Sequence, residues 1–300
     1  MAQLQALLQW RPSAQELLLA MDLLIVLLLF VIARFSDGWF SGVDSTKELA
    51  ERDNIAFGLS SAGSIVALAI AISGLFQYTH HPNIWFHGMQ LLLLGLVAIG
   101  LIRLARWIFD KWGLQHLDKQ QQILSGNVPI ALVDSAVACA VALMLKGTMQ
   151  WFGAIYWGTL PMLLANFIVA VALLVGISRL LEYRYARNNQ GGSLQLALAQ
   201  GQLPLSIRHS VYLLACGLLM HHSALSELLQ QPTPVANLSY WLAMTLLKLL
   251  LLWGMGYLLR QLVLAKVQVN EEIERQNNTG VAALESALLF AAAYVLSHVF

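Results

Sequence analysis

A chain of 300 residues with 58% hydrophobic and only 11% charged side chains, at a mean hydropathy of +0.67, is too apolar for a water-soluble fold; soluble domains run roughly 45–50% apolar and about 25% charged. A net charge of +1 leaves no electrostatic footprint for nucleic acid. Cys139 and Cys216 both lie in apolar stretches and read as small buried hydrophobes rather than a disulfide or a metal pair.

Residues 1–15 carry Leu4, Leu7, Leu8 and Trp10 among polar neighbours and read as an N-terminal segment lying along the membrane interface. Eight stretches then reach the roughly 20 apolar residues that a membrane span needs: 16–36, 55–77, 84–108, 128–148, 154–181, 203–222, 237–265 and 279–299. The first lacks the basic leader of a cleavable signal peptide. All are far longer than the roughly 10-residue alternating strands of a barrel. The expectation is an all-α polytopic membrane bundle of eight helices.

Thirteen of the seventeen basic residues fall in the loops after spans 1, 3, 5 and 7 or on their flanks, from Arg34 to Arg275. The positive-inside rule makes those loops cytoplasmic and puts both termini on the other side. Among the linkers, Asn188–Ser193 (NNQGGS) looks the most flexible. The chain divides most naturally near Met149–Gly153, into a first repeat pair at 16–150 and a second at 151–300.

The repeats are legible at the start of each even-numbered span. Asn54, Asn127, Gln202 and Asn278 each precede an apolar helix, and seven residues further on stand Ser61, Asp134, His209 and Glu285. A small residue follows each time: Ala62, Ser135, Ser210 and Ser286. Gly126-Asn127, running from a polar lead-in into a helix rich in small residues, resembles the bacterial inner-membrane family known as domain of unknown function 350. That family's unit is two membrane helices, usually in tandem pairs. The likeness implies four parallel two-helix units here, with Gly-Asn altered to Asp53-Asn54, Gly201-Gln202 and Asn277-Asn278 in the other three. It brings no activity with it. Parallel units are related by an axis along the membrane normal, which leaves two arrangements open: a ring around a pseudo-fourfold axis, or a pseudo-dimer of pairs.

Ionisable groups at bilayer depth cost about 2.5–3.5 kcal/mol each on insertion scales and so face partners or wet cavities. At 1.5 Å per residue the four +7 side chains sit roughly 10 Å inside the helix start. A second set, Asp22, Gln90, Asn166 and Lys248, places one polar residue on the first helix of each unit. Arg208 is next to His209 and points away from it, toward Asp134, Glu285 or the cytoplasmic surface. Two readings stand. In one, Asp22, Asp134, His209, Glu285, Lys248 and Arg208 form a hydrated path for a proton or small ion. In the other they are glue, with Asp22–Lys248 and Arg208 with an acid as neutral pairs and the serines, Gln90 and Asn166 bonded between helices.

The amides have the place and chemistry of helix N-caps, with Pro129 and Pro204 in the first turn; an anion site at convergent helix N-termini is the alternative. The pairs His80-His81 and His221-His222 lie near the outer face, as do His87 and His298, and raise the question of a metal. No metal-protease spacing accompanies them, and no cofactor is expected. Small residues such as Gly58, Ala131, Ser135, Ala138 and Ala282 place the motif helices inside the bundle. Trp39, Trp85, Trp107, Trp112 and Trp241, near span ends, read as interfacial belts.

No phosphate loop, nucleophile elbow or zinc-protease helix occurs, so no enzyme is expected. The leading expectation is a small-ion or proton pathway in a bacterial inner membrane, as a homo-oligomer. The alternative is a non-transporting scaffold whose cytoplasmic loops dock a soluble protein in envelope maintenance or stress response. The discriminating residues are Asp134 and Glu285.

Overall fold

The computed structural model describes residues 13–77, 83–152, 160–225 and 234–299, and the described residues contain helix and turn but no strand. The elements are α1 (Ala14–Ser41), α2 (Ser45–Ala50), α3 (Ile55–Ser73), α4 (Ile84–Trp112), α5 (Lys119–Leu124), α6 (Val128–Phe152), α7 (Leu160–Asn188), α8 (Leu194–Ala199), α9 (Leu203–Ala224), α10 (Pro234–Val263), α11 (Val269–Glu274) and α12 (Thr279–Val299). Eight of them are long and apolar enough to cross a membrane, so this is a multi-pass membrane protein in contact with the lipid bilayer.

Each unit is a long helix, a six-residue helix and a second long helix. The short helices α2, α5, α8 and α11 replace what composition alone suggests are plain loops. Asp44, Asp118 and Ser193 start three of them by accepting hydrogen bonds from first-turn amides. The NNQGGS segment is likewise ordered. Gly191, at φ 85°, closes the end of α7 with a bond to the Ala186 carbonyl, and Asn189 donates to Glu274 Oε2 at 2.6 Å.

The second helices form one row, α3 on α6, α6 on α9, α9 on α12, and among the described residues no extended packing of α12 on α3 closes it. Neither a ring nor two separate pairs describes this; it is an open row. The first helices stand alongside, α4 against both α3 and α6, α7 against both α6 and α9. Burial follows: α6 and α9 are buried along most of their length, α1 and α10 along little. Lipid tails are as apolar as leucine, so the row is held by close packing of small residues. A side chain on Gly63 would strike Ser135, one on Gly217 the backbone of Ala140, and one on Gly147 the backbone of His221.

Two tryptophan placements differ from a simple belt. Trp39, Trp85, Trp107 and Trp112 are exposed, but Trp241 is fully buried and donates to the Met220 carbonyl at 3.0 Å. Trp253 carries the Arg184 guanidinium 5.1 Å above its ring. Residues 1–12 lie outside the described residues, and α1 begins at a Ser13–Glu16 capping box.

Candidate functional site

The residue before each motif amide must turn the chain sharply from a short helix into a long one. Asp53, Gly126, Gly201 and Asn277 do so at φ 47°, 88°, 87° and 56°, in the left-handed region that favours glycine, asparagine and aspartate. The motif's first position is thereby explained. Its second is an N-cap with a further task. Asn54, Asn127 and Asn278 accept from the amides of Phe57, Ile130 and Val281. The Asn54 NH2 also donates to the carbonyls of Ile123 and Leu124 at the end of α5, and that of Asn127 to Leu198 and Ala199 at the end of α8. Asn54 and Asn127 thus each staple their unit to the next. Gln202 departs from this: it makes no side-chain cap, and its buried Oε1 has no partner. The four helix starts lie along the row instead of converging, which removes the geometry for a shared anion site.

Asp134 is 2% exposed and sits in a closed ionic cluster. Arg106 of α4 reaches it through both Nε, at 2.9 Å, and the closer NH2. Lys119, the first residue of α5, meets Asp134 and Asp110 at 2.7 Å each. Ser60 of α3 donates to it at 2.6 Å. Two acids and two bases are therefore interlocked across α3, α4, α5 and α6, with Arg106 also bonded to Ser60 and Ser64. A cavity of about 230 Å³ opens beside the cluster, lined by Phe57, Ser61, Arg103, Trp107, Gln120 and others.

Glu285 is built in by the same plan. Arg208 of α9 bonds it at 2.8 Å, and Arg260 of α10 meets its other oxygen. Arg208 also pairs with Glu274 of α11 at 2.9 Å and bonds Asn270. Again two acids and two bases interlock, across α9, α10, α11 and α12. Arg208 stands at the same motif position as Ser60, six residues past the amide. A single buried charge is costly, whereas a neutral quartet with its hydrogen bonds filled is tolerable at bilayer depth.

The middle junction is different. His209 is 2% exposed with both ring nitrogens unpartnered, edge-on to Phe109 at 6.5 Å. The motif position on α6 that corresponds to Ser60 and Arg208, six past Asn127, is the apolar Val133. The profile of the family described as Domain of Unknown Function (DUF350) matches residues 12–149 and again 154–300. The chain belongs to the DUF350 family. Each DUF350 copy holds one complete cluster, around Asp134 in the first and Glu285 in the second, and His209 lies where the copies meet. No curated protein and no solved structure matches the chain significantly.

The remaining candidates are scattered. Asp22 meets His87 of α4 at 2.9 Å instead of Lys248, which lies on α10, a helix with no extended packing on α1. Lys248 is fully buried and Asn166 donates to Thr148 at 3.4 Å. Ser61 is buried with its hydroxyl unpartnered, and Ser60 supplies the bond to Asp134. At the other end of the helices the rings of His221, His222 and His298 lie in series, edge-on and then tilted, with centroids 4.9 and 4.7 Å apart. Among the described residues no group of three metal-binding side chains is suitably placed. His80 and His81 lie outside the described residues.

Sequence reasoning found both acids and Arg208 but assigned Arg106, Lys119 and Arg260 only to the loop-side charge count. The usable signal was position: Arg106 and Arg260 already fall inside the spans at 84–108 and 237–265, where a cation calls for a partner.

Proposed function

We propose that this DUF350 protein is a non-transporting membrane scaffold that presents its short-helix end to a soluble protein. The carrying observation is the closure of both clusters. Each buried acid is already matched by two cations, an arrangement that fixes helices rather than relays protons. The row beyond the clusters is filled by Ala138, Val141, Ala142, Leu145 and Met149. On this reading the chain catalyses nothing. It lies in a bacterial inner membrane with the short helices cytoplasmic, because the basic residues gather at that end. Labelling of single cysteines placed in α2 and α11 by a membrane-impermeant reagent tests the orientation.

A second reading has one observation in its favour: the 230 Å³ cavity brings room for water to the side of the Asp134 cluster, as an ion route would require. Proteoliposomes loaded with pH- and potential-sensitive dyes separate the two. The scaffold reading expects no protein-dependent flux of protons or alkali cations in wild type. Flux that vanishes in a folded Asp134→Asn/Glu285→Gln variant overturns it in favour of the path.

A further inference from the structure

The open row has two unlike ends that match each other. At every internal junction one unit offers a leading face and the next a trailing face, in one register. Gly63, nine residues past its amide, packs on Ser135, eight past the next. Ala140, thirteen past, packs on Gly217, fifteen past. Gly74 packs on Lys146 and Gly147 on His221, twenty against nineteen in both cases. The leading positions nine past the amide are buried in α3, α6 and α9, as Gly63, Ala136 and Val211. Those thirteen past are fully buried as Ala67, Ala140 and Ala215.

In α12 the same positions are Ala287 and Ala291, with Ala283 and Leu284 beside them, and all four are exposed. The trailing positions behave as the mirror case. Ser135, Ser210 and Ser286 are buried, as are Ala142, Gly217 and Ala293, whereas their counterparts on α3, Ala62 and Ala69, are exposed together with Val66. The polar staple is unfinished in the same sense. Asn54 and Asn127 each donate to the last two carbonyls of the following short helix. The Asn278 NH2 has an in-unit bond to Glu272, and the carbonyls that would follow it in sequence of units are Leu49 and Ala50 at the end of α2.

We propose that the trailing face of α3 in a second copy of this chain docks on the leading face of α12, continuing the row head to tail. The occupant is a second copy because α3 carries the face that the three internal junctions place at this position, with small side chains on both sides and no charge at the seam. Register copying puts Ala287 against the other copy's Ala62, and Ala291 against its Ala69. Such an interface is heterologous, so two or more copies close a ring if the rotation permits and otherwise extend.

The test is cysteine cross-linking of the full chain in native membranes, on a Cys139→Ala/Cys216→Ala background. A variant carrying both Ala62→Cys and Ala287→Cys is expected to give covalent dimers and higher bands. Either single variant is expected to give none. Fluorophore-tagged cysteine-free protein in lipid nanodiscs, counted by photobleaching, should show at least two copies. The count should fall to one for Ala287→Leu/Ala291→Leu, whose positions are exposed in the isolated chain and leave the fold unchanged by circular dichroism. Single-copy wild-type particles, cross-linking by Ala287→Cys alone, or an unchanged count in the leucine variant would each overturn the proposal.

Discussion

Replacing Asp134 with asparagine isolates the energetics of the first cluster. The amide keeps the shape and part of the hydrogen bonding, so what is removed is one negative charge facing Arg106 and Lys119. At 2.7 Å and an effective dielectric of about 20, the Lys119–Asp134 attraction alone is roughly 6 kcal/mol gross. Lys119 retains Asp110, also at 2.7 Å, whereas Arg106 loses its pair with Asp134 and keeps its bonds to Ser60 and Ser64. After relaxation, breaking one partner out of a buried pair costs about 3–5 kcal/mol, and Asp134→Asn is expected in that range. Removing one cation as well, in Asp134→Asn/Arg106→Met, returns the cluster to one acid and one base. The double variant should then recover about 1–3 kcal/mol relative to the sum of the single changes. Reversible unfolding in bicelles, with the four corners of the cycle measured under one condition, gives both numbers. A folded Asp134→Asn protein within about 1 kcal/mol of wild type, or an additive cycle, would refute the interlocked quartet.

The second cluster should behave alike: Glu285→Gln leaves Arg208 its pair with Glu274 but takes the ion pair from Arg260, and is expected to cost about 3–5 kcal/mol in the same assay. Asn127→Ala removes a cap and two bonds to α8 and should cost about 2–3 kcal/mol; Asn127→Asp, which still caps but cannot donate, should fall between it and wild type. Gln202→Asn, conversely, restores a staple toward α11 and is expected to raise stability by about 1 kcal/mol, read as a shift in unfolding midpoint. Gly217→Val drives a side chain into the Ala140 backbone, so α6 and α9 separate and the protein should fail to yield a monodisperse peak in size-exclusion chromatography.

How much of this was written in the sequence depends on the kind of residue. The spans, the four motif amides and the acids seven residues beyond them were legible, because a polar side chain in an apolar helix stands out against its neighbours and recurs in register. The relation of the motif helices to the core was legible too, through Ala131, Ser135 and Ala282. The short helices were not: six residues such as Lys119–Leu124 make little more than one turn and carry no periodic signal. The cations were hidden by their commonness. Lysine and arginine are common near span ends, and only the packing of the helices reveals that Arg106 turns onto Asp134 while Lys111 lies over the Trp107 ring. Ser60 was eclipsed by its neighbour Ser61, since a one-residue choice on a helix turns on a rotation of about 100° that periodicity cannot resolve.

The separation of the two quartets bears on how the chain is made. Every ion pair described above closes before Phe152 or after Leu160. During synthesis the first four spans therefore reach electrical balance in the lipid while the second four are still unmade. The later half brings the charges of its own quartet already matched and finds its place through shape, the Ala140–Gly217 seam, and uncharged bonds such as the Asn127 staple and Asn166 to Thr148. Order of birth and order of neutralisation coincide for the two quartets, so neither has to wait for a counter-ion from the other half.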